Sequence, residues 1–195
     1  MSDINTKVHT FLMMGRPGSG KGTQAALLAS KVGGSVYSSG ARLREMAASG
    51  SFFGNKAKAV MSAGDLMPVW VSQYLFEEAL LKLEPAQAIV FEGSCRIEEE
   101  ARRFHEAATW LERAYVAVHI DVPEAVLRER LLKRAGIEGR ADDSASALQE
   151  RFDKFTELTL KSIEYFKSEG TLVTINGDQT PEQVQADILS ALKLS

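Results

Sequence analysis

The chain contains a single cysteine in 195 residues, so no internal disulfide can hold it together. A reducing, intracellular setting is the simplest reading. At this length a chain buries enough apolar surface to fold without cross-links. An excess of charge of one sign is also missing. The 23 Lys and Arg stand against 26 Asp and Glu, a formal net charge of −3, without the basic footprint of a nucleic-acid partner. No apolar run approaches ~18 residues, so no membrane span is expected. The first ten residues are polar and lack the apolar stretch of a secretory leader. Prolines number only five, and no linker-like or low-complexity tract and no tandem repeat breaks the chain. The expectation is one cytoplasmic domain with no nucleic-acid or membrane partner.

What is present is alternation. Short apolar runs at Thr10 to Met14, Ser35 to Tyr37, Ala88 to Phe91, Ala114 to Ile120 and Leu172 to Ile175 read as strands. Between and after them, amphipathic stretches read as helices: Lys21 to Val32, Ala41 to Ala48, Lys56 to Ala63, Val69 to Leu83, Ile97 to Arg113, Glu124 to Arg134, Ala147 to Lys167 and Pro181 to Leu192. Gly33-Gly34, Gly50, Gly64 and Pro68 punctuate them, and Gly136 to Asp143 reads as a polar break. This order predicts an α/β fold: a five-stranded parallel sheet covered by helices on both faces. Ligands bind such sheets at the carboxyl ends of the strands, which directs attention to the loops after Met14, Tyr37, Phe91 and Ile120.

The first of those loops reads GRPGSGKGT from Gly15 to Thr23. Gly15, Gly20 and Lys21 have phosphate-loop spacing, and the loop lies between a strand and a helix. Glycines let backbone N–H groups turn inward around phosphate oxygens. The helix start adds partial positive charge, and Lys21 adds a full one. Gly22 stands between the lysine and the hydroxyl of Thr23, where the strict motif has none.

With that inserted glycine, GxPGxGKGT followed by Gln24 resembles the adenylate kinase family, and the resemblance extends over nearly the whole chain. It implies a P-loop kinase domain whose core is 1–38, 69–134 and 143–195. A small helical monophosphate-binding region would span 39–68, and a short lid 135–142. The lid is too short for the zinc-binding form of the family and contains no cysteine. The implied substrates are ATP, with Mg2+, and a nucleoside monophosphate. The implied state is a monomer.

The resemblance also assigns residues. Gly15, Pro17, Gly18, Ser19, Gly20, Lys21, Gly22 and Thr23 would hold ATP phosphates, with Lys21 on the transferred group and Thr23 on an inner phosphate. Gly177 would lie at the turn beside the ATP base. Phosphoryl transfer demands positioning and positive charge more than covalent chemistry, and the arginine fork binds phosphate oxygens two at a time. Each arginine alone reads as a solvated surface residue. Together Arg130, Arg134, Arg140 and Arg151 match the family's arginines that close over the phosphates. Arg130 and Arg134 fall on the ATP side, and Arg140 and Arg151 reach the acceptor as well. Ser39, Gly40 and Arg44, in a segment resembling STGDxLR, would bind the monophosphate with Met67, Gly93, Arg96 and Glu100. Glu92, in a segment resembling DGFPR, would orient the waters on the metal. Lys21, Arg96, Arg134, Arg140 and Arg151 are the expected catalytic set. The acceptor is already a phosphate oxygen, so His9, His105 and His119 need no role, and His119 reads as structural.

The donor half follows the family pattern closely and the acceptor half does not. Ala41 replaces an Asp, Glu92 another Asp, Ser39 a Thr, and Ser94-Cys95 a Phe-Pro pair. Glu100 stands where the family has the Gln that reads adenine. A Gln amide both donates and accepts, whereas an ionised Glu only accepts. Adenine's amine would suit it and adenine's ring nitrogen would not; guanine offers two donors. The plainer reading makes Glu98-Glu99-Glu100 the acidic first turn of a helix. Cys95 beside Arg96 reads as a plain small residue or as a reactive thiol. Three functions stay open: an AMP kinase, a kinase for GMP, UMP or CMP, and an ATP-binding sensor or slow ATPase.

Overall fold

The computed structural model describes residues 8–138 and 145–194, with side chains outside 132–145. Five parallel strands form one sheet in the order β2-β3-β1-β4-β5. They are β1 (Thr10–Met14), β2 (Ser35–Ser38), β3 (Ile89–Glu92), β4 (Tyr115–Asp121) and β5 (Leu172–Asn176). Helices α1 (Lys21–Val32), α2 (Ser39–Ala48), α3 (Phe52–Ser62) and α4 (Val69–Leu81) precede β3. Helices α5 (Glu98–Trp110), α6 (Glu124–Glu138), α7 (Ala145–Lys154), α8 (Leu160–Ser168) and α9 (Pro181–Ala191) follow it.

The central strand explains the layering. All of β1 is buried, and its side chains alternate between faces. Phe11 and Met13 join a core with Leu28 of α1, Leu127 of α6 and Ile188 of α9. Leu12 and Met14 join the opposite core, with Phe76 of α4, Phe104 of α5 and Phe166 of α8. In that second core Phe91, Phe104, Tyr115 and Phe166 stack edge to face, with centroids 5.3–5.8 Å apart. Each such ring contributes about 2–3 kcal/mol by burial. A smaller cluster, Leu43, Ala57, Met67, Val71 and Leu75, fastens α2 and α3 to α4.

Register brings the functional loops together. Met13 pairs with Glu92, Met14 with His119, and Ser38 with Glu92. The ends of β2, β3, β1 and β4 therefore open onto one edge.

Three helices depart from expectation by a turn or more. The one expected from Lys56 starts at Phe52. The one expected to stop at Arg134 continues to Glu138, so residues 136–138 of the expected polar break and 135–138 of the expected lid are helical. Its remainder, 139–142, lies outside the described residues. The long helix expected from Ala147 to Lys167 is interrupted by a π-helical turn, Phe155–Thr159. Such turns insert an extra residue and re-aim side chains, often at functional sites. This one sets Phe155 beneath His119, with ring centroids 6.2 Å apart. It also lets Thr159 donate to the Arg96 carbonyl at 2.9 Å.

Candidate active site

A cleft of about 700 Å³ opens along the strand ends. The loop from Gly15 to Gly20 forms one wall. Gly15, Gly18 and Gly20 have φ of 146°, 81° and 90°, values that side chains rarely tolerate. A Cβ on Gly15 would lie 2.7 Å from the Ile120 carbonyl oxygen, so the loop can pack there only as glycine. Helix α1 starts at a bare end: its N-cap, Gly20, supplies no side-chain hydrogen bond, and no acidic residue occupies the first turn. The hydroxyl of Ser19 is buried without a partner. A helix start lacking its own acceptor and adjoining an unpaired hydroxyl suits an anion. Lys21 donates to the carbonyls of Gly15 and Arg16, both at 2.8 Å, which folds its ammonium group back over the loop. Pro17, Gly22 and Thr23 also line the cleft, whereas Ser19 does not.

Glu92 occupies the centre. Ser38 donates to its Oε2 at 2.7 Å. Burial pushes this carboxyl upward, but Lys21, the Ser38 hydroxyl, Arg96 and Arg44 together outweigh burial and hold it below the usual range. The carboxylate is therefore ionised in neutral solution. Among the described residues no three His, Cys, Asp or Glu side chains gather as a metal cage. A half-buried carboxylate facing a phosphate loop suits a cation that arrives with its waters on a nucleotide, since Mg2+ characteristically keeps several waters and few protein ligands.

The far wall is built by α2, α4 and α5. Ser38 caps α2 by accepting from Ala41 N at 3.3 Å. Ser39 donates to the Glu92 carbonyl at 3.2 Å and pairs with Ser94 Oγ at 2.9 Å, so the two serines stitch the start of α2 to the loop after β3. Gly40 and Gly93 make room for guanidinium groups: a Cβ would meet Arg44 at 3.3 Å on Gly40 and Arg96 at 3.0 Å on Gly93. Arg96 Nε donates to the Gly93 carbonyl at 3.0 Å. Leu43, Met61, Leu66 and Met67 supply an apolar lining.

Glu100 is 2% exposed and still borders the cleft. It is the third residue of α5, and its Oε2 accepts from Arg96 N at 2.7 Å. Burial raises its carboxyl, opposed by the Arg96 and Ile97 amides and the Ser72 hydroxyl. Glu100 accepts from the amide just ahead of the helix start and borders the cleft. Glu98, by contrast, bonds Arg102 in solvent. Cys95 is fully buried, and burial pushes its thiol well up, so it is a packing residue and not a reactive one. His119 is likewise structural, packed on Phe155.

On the donor side Arg130 borders the cleft and donates to the Gly177 carbonyl at 3.1 Å. Gly177 itself is not on the cleft wall. Its N–H donates to the Asp121 carbonyl at 2.7 Å, and a Cβ there would collide with Ile120 and Val122. Arg151 lines the cleft from α7. Arg134 lies within α6, its side chain outside the described set, and Arg140 lies outside the described residues.

Several lining residues escaped sequence reasoning: Ser72 on α4, Asp65 before it, and Lys154 and Phe155 beyond Arg151. Lys154 sits three residues after Arg151, on the same helix face, which was an available signal. Nothing near Ser72 marks it.

A sequence model of the adenylate kinase family matches residues 13–171. The chain belongs to the adenylate kinase family. It is 35% identical over 185 residues to an adenylate kinase of Thermus thermophilus, covering 93% of this chain and 95% of that one. It is 34% identical over 187 residues to adenylate kinase isoenzyme 1 of Caenorhabditis elegans, covering 95% and 88%. To adenylate kinase 1 of Schistosoma mansoni it is 35% identical over 179 residues, covering 91% and 89%. The family makes the chain an enzyme, a nucleoside monophosphate kinase that binds ATP and transfers a phosphoryl group. Among the described residues no helix is long and apolar enough to cross a membrane.

Proposed function

We propose that the chain catalyses reversible phosphoryl transfer from Mg-ATP to AMP, giving two ADP. One observation carries this reading: Lys21 of the phosphate loop and Arg44 and Arg96 of the opposite wall line one cleft with the half-buried Glu92 carboxylate, and all three lower its pKa. The cations of the donor and acceptor sides therefore converge on one point, where a phosphoryl group can pass between two phosphates. The relatives' printed names favour adenylate as the acceptor.

The residues divide the work. The loop amides from Gly15 to Thr23 and the start of α1 hold the ATP phosphates. Arg44 and Arg96 hold the acceptor phosphate with Ser39, Gly40 and Gly93, beside the apolar wall that includes Met67. A phosphate oxygen of AMP attacks the terminal phosphorus as its bond to the ADP oxygen breaks. The attacking oxygen carries no proton that a base must remove. Lys21, Arg96 and Arg151 neutralise charge spread over the moving group, with Arg130 on the donor side. Glu92 would hold the waters of Mg2+ bound to the nucleotide, which would supply charge neutralisation at the phosphates. Residues 39–68 act as the monophosphate-binding arm of a monomer, and closure around both nucleotides keeps water from competing.

The test is ADP formation from Mg-ATP with AMP, GMP, CMP or UMP offered separately, against a control lacking acceptor. The expected result is rapid ADP formation with AMP and the reverse reaction from ADP alone. Preference for another monophosphate, or no transfer above the control, would overturn the reading.

A further inference from the structure

Among the described residues three non-glycine residues have a left-handed backbone: Cys95, Glu112 and Lys193, with φ of 58°, 52° and 53°. Glu112 and Lys193 are exposed, and each lies just past the end of a helix, the usual place for this conformation. Cys95 is fully buried and ends no helix. A left-handed backbone costs free energy for a residue with a side chain and persists where the surroundings over-determine it. A proline, with φ fixed at about −65°, could not adopt it, so this turn is not built as the Phe-Pro pair of the family pattern would be. What holds it comes from a distant part of the chain. Ser162 of α8 donates to the Cys95 carbonyl at 2.7 Å. Thr159, the last residue of the π turn, donates to the Arg96 carbonyl at 2.9 Å. Both Ser162 and Thr159 are buried. On the other side Glu100 Oε2 holds the Arg96 N–H at 2.7 Å. The π turn is anchored at its first residue as well: Phe155 packs on His119, and the Arg16 guanidinium lies 5.0 Å from its ring centre.

We propose that Thr159 and Ser162 are positioning residues for Arg96. Their hydroxyls grip two consecutive carbonyls, keep Cys95 left-handed and so fix the direction in which the Arg96 side chain leaves the backbone. A turn that relaxed to an ordinary conformation at Cys95 would rotate the next peptide and carry the guanidinium away from the acceptor phosphate. Each hydroxyl acts through the arginine and not on the nucleotide. Spacing makes the grip possible: Thr159 and Ser162 lie three apart and share one helix face. Phe155, at the start of the same π turn, ties that face to the phosphate loop through Arg16. The acceptor arginine is thereby held at a fixed place relative to the loop that carries the donor, which is what transfer between two phosphates requires. The inference rests on the reading of Arg96 as a holder of the acceptor phosphate.

The experiment uses the full chain, wild type and the variants Thr159→Val, Thr159→Ser, Ser162→Ala, Arg96→Ala and Arg96→Ala combined with Thr159→Val. Binding of AMP and of ATP is followed separately by calorimetry, and a thermal melt confirms that each variant is folded. Thr159→Val keeps the shape and removes the donor. It should weaken AMP binding roughly tenfold through displacement of Arg96 and leave ATP binding within about twofold of wild type, and Ser162→Ala should do the same. Thr159→Ser keeps the hydroxyl and should bind AMP within about threefold of wild type. Added to Arg96→Ala, Thr159→Val should change AMP binding by less than about twofold, because a residue that acts through the arginine then has nothing to act on. A hydroxyl that only supports the fold would weaken both nucleotides, or weaken AMP binding equally in both backgrounds. Either of those results, or unchanged AMP binding in Thr159→Val or in Ser162→Ala, overturns the inference while Arg96 keeps its role. Arg96→Ala with undiminished AMP binding, or wild type that binds no AMP, overturns the reading of the acceptor site and the inference with it.

Discussion

The Ser38 hydroxyl donates a 2.7 Å hydrogen bond to Oε2 of Glu92 while accepting one from Ala41 N at 3.3 Å. One side chain thus closes the start of α2 and orients the carboxylate at the centre of the cleft. A serine of β2 is the natural place for this, because Ser38 pairs in register with Glu92.

Ser38→Ala should separate those two tasks. Loss of an N-cap costs about 1 kcal/mol of stability. Loss of a hydrogen bond to a charged group adds about 1.5–3 kcal/mol of interaction, felt where Glu92 must be held. Turnover should fall about tenfold while KM for ATP barely moves, and a thermal melt should drop by only a few degrees. Unchanged turnover would mean that Glu92 keeps its orientation through Lys21 and the arginines alone.

Lys21→Met should show the opposite balance. The ammonium group bonds two loop carbonyls, and those groups can turn to water at the cleft mouth. The folded state should lose about 1 kcal/mol or less, whereas removing a full charge from the transferred group should cost about 10³-fold or more in kcat. Chemical denaturation and single-turnover kinetics on the same preparation give both numbers. A loss of stability matching the loss of rate would make Lys21 a structural residue of the loop.

Much of this was readable beforehand, for a physical reason. A phosphate loop requires consecutive residues, so Gly15 to Thr23 announces itself, and β1 is a short apolar run because both its faces are buried. Arg44 and Arg96 were legible as candidates because their segments resemble the family's STGDxLR and DGFPR motifs. The chain could not reveal what depends on contacts between distant segments. Ser72 borders the cleft because α4 packs beside α5. Lys154 matters because Asp65 approaches it. Glu100 itself was ambiguous because an acidic helix start and a cleft-facing carboxylate share one sequence. The π turn at Phe155 was missed because an extra residue in a helix leaves the apolar period almost unchanged.

The contact between the loop before α4 and helix α7 offers a test of which interaction dominates. Gly64 has φ of 78°, and a Cβ there would lie 2.4 Å from the Ala147 carbonyl oxygen. Beside it, Asp65 meets Lys154 at 3.7 Å in an exposed ion pair. Exposed pairs contribute little, whereas steric overlap with backbone and a strained φ cost about 1–3 kcal/mol. Gly64→Val should therefore lower the melting temperature by several degrees, and Asp65→Asn should leave it unchanged within error. The reverse order would assign the contact to charge.

His119 predicts a pH dependence. It is 9% exposed, and burial lowers its pKa below 6.5, helped by Arg16 and Lys21 and opposed by Asp121. Between that lowered value and 6.5 the unfolded chain binds a proton that the folded chain does not. The contribution to stability is thus complete above pH 6.5 and is lost as pH falls through the folded value. Glu100, raised by burial, acts in the opposite sense above pH 4.5, so the wild-type curve alone mixes the two. Subtracting the curve of His119→Gln removes Glu100 and every other group common to both proteins. The difference in unfolding free energy between wild type and variant should be flat from pH 8 to about 6.5 and should fall steadily below that. A difference that stays flat down to pH 5 would mean that His119 takes up its proton as readily in the fold as outside it.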